Sequence, residues 1–356
     1  MPQTSQTLTI GDVLASTLPN TRQEIVDNIH RNNVFLSKLM VAKRKRTFQG
    51  GVYINRTVEY GRNSTPQSFG GWDLVPIVPQ ETITDTIWTP KNYAANWCVS
   101  WEEERQNAGS ETKIRDVATQ KKTSMERSFS EDISSDILNP TSFTSVGNGG
   151  KDITPLTMLV SRAALTVGSI SESTNSWWAP QRKTSASSNN TAKAGSVIKK
   201  ELRNFYNTCG KFRDGFSDFV LGTQAFYELY ESILDNQVRY GSTEMASLGF
   251  DTIMLKNAEV AWDQLVPGSS ANNAATVAYD SGSYAEENAF FLNTKYLYLM
   301  VDSGADFTMT PAVDHLAGGQ FGKSGAMVAR MELICTNRRA QGFYSGLDES
   351  AVTLTT

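Results

Sequence analysis

Two strand-like segments joined by a long, turn-rich connection constrain this chain more than any other feature. VYINRTVEYG and ETITDTIWTP both alternate with period two, and in the second Thr82, Thr84 and Thr86 interleave with Ile83, Asp85 and Ile87. Such alternation is what a ribbon with two dissimilar faces requires. The connection NSTPQSFGGWDLVPIVP is too long for a tight hairpin, and an isolated two-stranded ribbon is barely stable in water. The pair therefore needs a neighbouring subunit to bury it. Phe69 and Trp72 sit among the glycines of that connection, where large apolar side chains are costly to leave in water.

The segments around the ribbon predict an α+β chain. Before it, residues 1–48 begin polar and then show a helical period in Ile25, Ile29, Val34, Phe35 and Leu39, closing on the basic run Lys43, Arg44, Lys45 and Arg46. That run reads either as weak nucleic-acid or interface contact, or as cations that favour a helix C-terminus and solubility. After the ribbon comes the longest helical signal, Glu111 to Leu138, with Ile114, Val117, Met125, Phe129, Ile133 and Ile137 at three- and four-residue steps and Asn139-Pro140 as its stop,. A helix of about 28 residues is on the order of 40 Å long, more than a compact domain usually needs. Thr, Ser and Lys interrupt its apolar seam, so a single spine packed on a sheet fits better than a coiled coil.

Residues 141–155 are turn-rich and mark a boundary. TPLTMLVSRAAL reads as a helix or buried segment, followed by a polar stretch around Trp177 and Trp178 that is long enough for interaction or mobility,. SVIKKELRNFYNTCG and QAFYELYESILDNQVRY read as helices on either side of a buried strand in DFVLGT, and ASLGFDTIMLKNAEVAWD as strand-turn-strand,. ANNAATVAYDSGSYAEEN reads as a surface insertion. The closing segments NAFFLNTKYLYLMV, FTMTPAV and AMVARMELICTNRRAQGFYSGL read as strands, with the long helix as their expected partner,.

With 33 basic against 37 acidic residues and a net charge of -4, the chain lacks the basic excess that wrapping nucleic acid demands, so DNA contact should be weak and non-specific. His30 and His315 are far apart, and Cys98, Cys209 and Cys335 form no CxxC pair, so neither a metal site nor a Cys-His nucleophile is visible. No GxSxG, phosphate-binding or dinucleotide-binding motif occurs at a strand-to-helix junction. Glu102 to Glu104 with Asp263 could be drawn as a glycosidase pair, but a capping box formed by Ser100 and Glu103 explains the first cluster better. Trp177 and Trp178 could form a sugar-stacking platform; subunit-interface anchors are the preferred reading. The N-terminus has no signal-peptide pattern, and no run approaches the roughly 18 apolar residues a membrane span needs. No catalytic, metal or cofactor residue is predicted.

The order of these elements, carried by FQGGVYINRTVEYG, SFGGWD, ETITDTIWTPKNY, SWEEERQNAGSETKIRD, SMERSFSEDI, VGSISESTNSWW, ASLGFDTIMLKNAEVAWD, FLNTKYLYL and MELICTNRRAQGFYSGL, resembles the tailed-bacteriophage major capsid proteins of the Hong Kong 97 type. The resemblance spans about residues 20–347. It implies an N-terminal arm (1–48), an extended β-hairpin loop (49–97), a peripheral domain with a spine helix (98–150), an inserted axial domain (151–288) and a return to the peripheral domain (289–356). It also implies a non-enzymatic subunit that assembles with itself into pentamers and hexamers of a virion shell around double-stranded DNA. A separate scaffolding protein, a portal and decoration proteins would be its partners, and assembly would take place in the host cytoplasm. Phe69 and Trp72 would lie on the loop that reaches a neighbour. Some relatives crosslink that loop through Lys and Asn; Lys91 and Asn92 lie near its base, but no bond-forming pair is marked. An encapsulin compartment of the same fold and, less well supported, a hydrolase are the alternatives.

Overall fold

The structure, a computed structural model, describes residues 34–75, 77–107, 117–140, 144–188, 191–211, 215–234, 252–268, 286–315, 321–348 and 351–353. The helical period at Ile25 and Ile29, His30, the start of the long helix at 111–116 and most of the predicted insertion at 271–288 lie outside them. The chain divides into two units: a larger one of residues 32–92, 133–303 and 330–356, and a smaller one of 1–31, 93–132 and 304–329.

In the larger unit, helix α1 (Val34–Val41) buries Val34, Phe35 and Leu39. The basic run does not simply close this helix. Lys43 turns into the left-handed region at φ 54°, the Arg44 backbone N–H donates to the Leu39 carbonyl at 2.9 Å, and Lys45 and Arg46 belong to strand β1 (Lys45–Phe48). Strands β2 (Ile54–Glu59) and β3 (Ile83–Trp88) then pair antiparallel, with Ile54 opposite Trp88 and Glu59 opposite Ile83, as their alternation predicts.

The core of this unit is a six-stranded sheet in the order β10-β11-β9-β12-β17-β7, built from β7 (Gln181–Thr184), β9 (Phe219–Gly222), β10 (Ile253–Leu255), β11 (Ala258–Trp262), β12 (Glu286–Leu292) and β17 (Gly342–Asp348). Strand β9 is buried at every residue, which is why it reads as an unbroken apolar run rather than an alternating one. Helix α4 (Gly195–Cys209) buries Ile198, Leu202, Phe205, Tyr206 and Cys209, one stripe at helical spacing,, and shares its cluster with Phe226, Leu229 and Tyr230 of α5 (Gln224–Leu234) and with Val220, Phe291 and Tyr344 of the sheet. Gly222 is required where α5 comes down on the sheet: a Cβ there would stand 2.5 Å from the Phe226 ring.

The closing segments depart from expectation. Strand β13 (Leu297–Asp302) pairs with β1 on one side and with the last residues of β16 (Gly322–Cys335) on the other. Strands β12 and β17, however, join the sheet made by the middle of the chain. Ala289, Phe290 and Phe291 are consecutive and fully buried, so they need cover on both faces, and α4 and α5 supply it on one. The short ladders β5 (Thr166–Val167) with β6 (Ile170–Ser171) and β8 (Lys193–Ala194) with β18 (Val352–Thr353) complete the unit.

The smaller unit holds most of β4 (Lys91–Ser100), α2 (Trp101–Asn107), the first part of α3 (Val117–Leu138), β14 (Thr308–Met309), β15 (Val313–Asp314) and the first half of β16. The predicted box opens α2: the Ser100 N–H donates to Glu103 Oε2 at 3.0 Å and the Glu103 N–H to Ser100 Oγ at 3.2 Å. Lys121 of α3 ion-pairs with Glu103 at 2.7 Å and, as the largest influence, holds that carboxyl below its ordinary value. Along α3 the predicted stripe is buried at Met125, Phe129, Ile133 and Ile137; within this unit Phe129 meets Tyr93 and Phe307 edge to face at 6.4 and 5.7 Å.

Candidate assembly interface

The ribbon has a built root. Ile54, Arg56 and Val58 share one face with Thr84, Thr86 and Trp88 through the register, and of these Ile54, Val58, Thr86 and Trp88 are buried. Trp88 donates its indole N–H to Thr86 Oγ at 3.0 Å, and Thr86 in turn donates to the Arg56 carbonyl at 2.9 Å, so the buried polar atoms at the root pair with one another. The Ile87 N–H donates to the Gly168 carbonyl of the β5–β6 turn at 3.1 Å. Gly168 has φ +61°, and a Cβ on it would stand 3.0 Å from the Trp88 ring, so the tryptophan packs close against bare backbone.

The tip is the opposite. Among the described residues from Arg62 to Gln80 no strand forms. Local polar bonds shape the loop: the Gly70 N–H donates to Asp73 Oδ2 at 2.7 Å, the Asp73 N–H to the Gly70 carbonyl at 3.1 Å and Gln67 Nε2 to the Leu74 carbonyl at 3.2 Å. Its apolar side chains find no interior. Trp72, Leu74 and Ile77 are at least 93% exposed, and Phe69, Val75 and Val78 more than half. Burying one such side chain is worth about 1.5–3 kcal/mol, so several leave a strong incentive to meet another surface. Phe69 and Trp72 thus stand exposed on this tip. Leu74 and Ile77 were passed over in the sequence although LVPIVP signals them: an apolar run broken by prolines can form neither helix nor central strand.

The two adjacent tryptophans separate. Trp177 is half-buried and stacks on Tyr60, at the end of β2, with ring centres 5.3 Å apart. Trp178 is 2% exposed and donates its indole N–H to the Val167 carbonyl at 2.9 Å, so it is a core residue of its own chain with almost no surface left for a partner. It is held there by Arg338, which sequence reading missed. This guanidinium is fully buried over the Trp178 ring. It donates to the carbonyls of Leu159 (2.7 Å), Met158 (3.2 Å) and Trp178 (3.3 Å), to Ser161 Oγ (3.1 Å) and to Glu172 (3.5 Å). Arg182 pairs with the same Glu172 at 2.6 Å. Burial lowers the Arg338 pKa to about 10, opposed mainly by Glu172. Beside this network a groove of about 420 Å³ is lined by Tyr60, Trp177, Tyr296, Thr336 and Arg339 among others.

In the basic run, Arg46 lies over the Tyr298 ring at 5.9 Å and Lys43 is exposed at the turn. Asp263 accepts the N–H of Val34, 229 positions away at the start of α1, at 3.3 Å and that of nearby Leu265 at 2.9 Å, so it serves backbone donors. Cys209 and Cys335 are buried, and burial pushes both thiols up to about 12, which leaves them protonated and unreactive. Among the described residues no group of three or more His, Cys, Asp or Glu side chains could hold a metal ion, and no helix is long and apolar enough to cross a membrane.

No family model and no curated protein sequence matches the chain. Solved structures do match. A cyanophage A-1(L) capsid subunit aligns over 93% of this chain and 98% of its own with TM-score 0.68 and 15% identity. The capsid of a native GTA particle aligns over 93% and 95% with TM-score 0.58 and 10% identity. An encapsulin complex from Synechococcus elongatus aligns over 97% and 98% with TM-score 0.53 and 8% identity. At such identities the likeness resides in the fold, which extends over nearly the whole of each chain: the chain has the Hong Kong 97 type fold that these shells share.

Proposed function

We propose that the chain is the major capsid protein of a tailed phage, a non-enzymatic subunit that closes with copies of itself into an icosahedral head around packaged double-stranded DNA. The observation that carries this reading is an anchored ribbon ending in a fully exposed apolar tip, on a fold otherwise used for shells. A tip of that composition has no function in an isolated chain, whereas in a shell each copy's ribbon covers its neighbour, and many modest contacts add up because every subunit makes several at once. Phe69 and Trp72, together with Leu74 and Ile77, are the contact residues of this reading. Trp177 contributes through the groove it shares with Tyr60, and Lys43, Arg44, Lys45 and Arg46 supply weak contact with nucleic acid or a neighbouring subunit.

In the same reading, residues 151–288 form the capsomer centres, the arm at 1–48 ties subunits together, and a separate scaffolding protein, a portal and decoration proteins complete the head in the host cytoplasm. The net negative charge suits a container that must release its genome, because tight phosphate binding would need a basic wall. Electron microscopy of the purified full chain tests the proposal. Closed shells are expected; soluble monomers at every concentration and salt condition would sink it. Removal of residues 62–79 should abolish closure, and normal shells without that tip would disprove its bridging role. The encapsulin match supports a second reading, a protein compartment; native particles filled with protein rather than nucleic acid would establish it in place of the first.

A further inference from the structure

The sheet beneath the ribbon root carries a buried carboxyl with one of its two oxygens unbonded. The register of β1, β13 and β16 sets Arg46, Met300 and Glu332 in one row across three strands, with Phe48, Asp302 and Arg330 in the next row on the same face. Glu332 is 1% exposed. Its Oε1 accepts the Thr154 N–H at 3.0 Å, while Oε2 is buried with no hydrogen-bond partner. A carboxylate has about four acceptor sites, and a buried one left unpaired is costly.

Lys91 faces Glu332, and other cations lie along these rows, none of them hydrogen-bonded to it. Arg56, borne by ribbon strand β2, reaches down to the same row and spends a guanidinium N–H on the Met300 sulfur at 3.5 Å, a weak acceptor. Lys91, the first residue of β4 and three positions past the end of the ribbon, faces Glu332 electrostatically but donates its ammonium to the Gly150 carbonyl. Arg46 lies over Tyr298, and Arg330 is engaged by Asp302 at 3.2 Å and by the Gly51 carbonyl. Lys151 and Asp152 stand in the loop that delivers Thr154.

We propose that Glu332 is a proton-dependent latch for the ribbon root. Neutral, it lies under the ribbon seated as observed; ionised, it draws Lys91 off Gly150 and Arg56 off Met300, and so resets both strands that enter and leave the ribbon. Burial pushes this carboxyl up to about 7, with the Thr154 hydrogen bonds and the Lys91 charge pulling the other way, so the change falls near neutral pH. Because the folded value stands above the ordinary 4.5, the stability tied to the bound proton is full below about 4.5 and lost as pH rises through about 7.

Amide hydrogen exchange of the full chain, kept unassembled at low concentration and corrected for intrinsic rates, tests the latch without reference to shells. Between pH 5.5 and 8.5, peptides covering 54–59, 83–91 and 147–154 should change protection by about tenfold with a midpoint near 7. Glu332→Gln, isosteric and always neutral, should hold the low-pH protection throughout. Lys91→Met should keep the change at 54–59 and lose it at 147–154. A flat profile in the wild type, or the same midpoint in Glu332→Gln, would overturn the proposal. Should Glu332→Gln not fold, the Lys91→Met profile decides alone: an unaltered response at 147–154 rejects the latch.

Discussion

The two ends of one ribbon follow opposite rules. At the root, Ile54, Val58, Thr86 and Trp88 are buried and their polar atoms bonded; at the tip, Trp72, Leu74 and Ile77 stand in solvent on a loop held by hydrogen bonds within itself. The root is complete within one chain. The tip leaves its apolar side chains in solvent, and in the proposed shell another subunit covers them. A residue's hydrophobicity therefore does not tell which energy it serves: at the root it stabilises folding, and at the tip, on the proposed reading, it serves association.

Substitutions that should affect one end and spare the other test this contrast. The largest effect is expected beside the root, at Arg338. Arg338→Ala strips a buried guanidinium from Glu172 and from the carbonyls that surround it, and removing one partner of a buried ion pair costs about 3–5 kcal/mol; chemical denaturation of the unassembled chain should show it. Trp88→Ala empties the seat on Gly168 and should lower stability by a similar or smaller amount, about 3 kcal/mol, with the loss of protection concentrated in β2 and β3. If either change left the fold untouched while blocking assembly, the root would be an interface like the tip.

At the tip the pattern should invert. Trp72→Ser should leave unfolding within about 0.5 kcal/mol of wild type, yet raise the concentration at which shells form by about tenfold or more, the equivalent of one lost aromatic contact; light scattering against concentration measures it. A large drop in melting temperature would mean that Trp72 packs within its own chain. The smallest effect is expected away from the ribbon, at the box that opens α2. Ser100→Ala should cost about 1 kcal/mol. Because Lys121 and Ser100 hold the Glu103 carboxyl below its ordinary 4.5, Glu103 stabilises the fold above about that pH and loses this contribution as pH falls through its lower folded value. Glu103→Gln should therefore differ from wild type at neutral pH and converge with it in acid, a difference to be followed by thermal melts.

Much of the fold could be read in advance where a pattern repeats within one element. The alternation in 52–61 and 81–90, the stripe Met125, Phe129, Ile133 and Ile137, and the box at Ser100 and Glu103 each depend on neighbours a few residues away. Trp177 and Trp178 show where such reading stops. Adjacent and identical in kind, they diverge because Arg338, 160 positions beyond Trp178, holds one inside. Arg338 and Arg339 look equally like solvated loop charges, yet only the first is buried. Strands β12 and β17 likewise look equivalent to β13 and β16, and only the partners on offer decide which sheet each one joins.

The sequence by itself determined the local grammar: which stretches alternate, which carry a helical stripe, where proline and glycine end them, and that Phe69 and Trp72 flank a glycine pair in a turn-rich connection. The tertiary structure decided which apolar and charged side chains are spent inside the chain and which are left for another. That choice depends on desolvation and pairing among groups far apart in sequence, as Glu332 with Thr154 and Arg338 with Glu172 show, and burial energy is a property of the whole neighbourhood rather than of any residue within it.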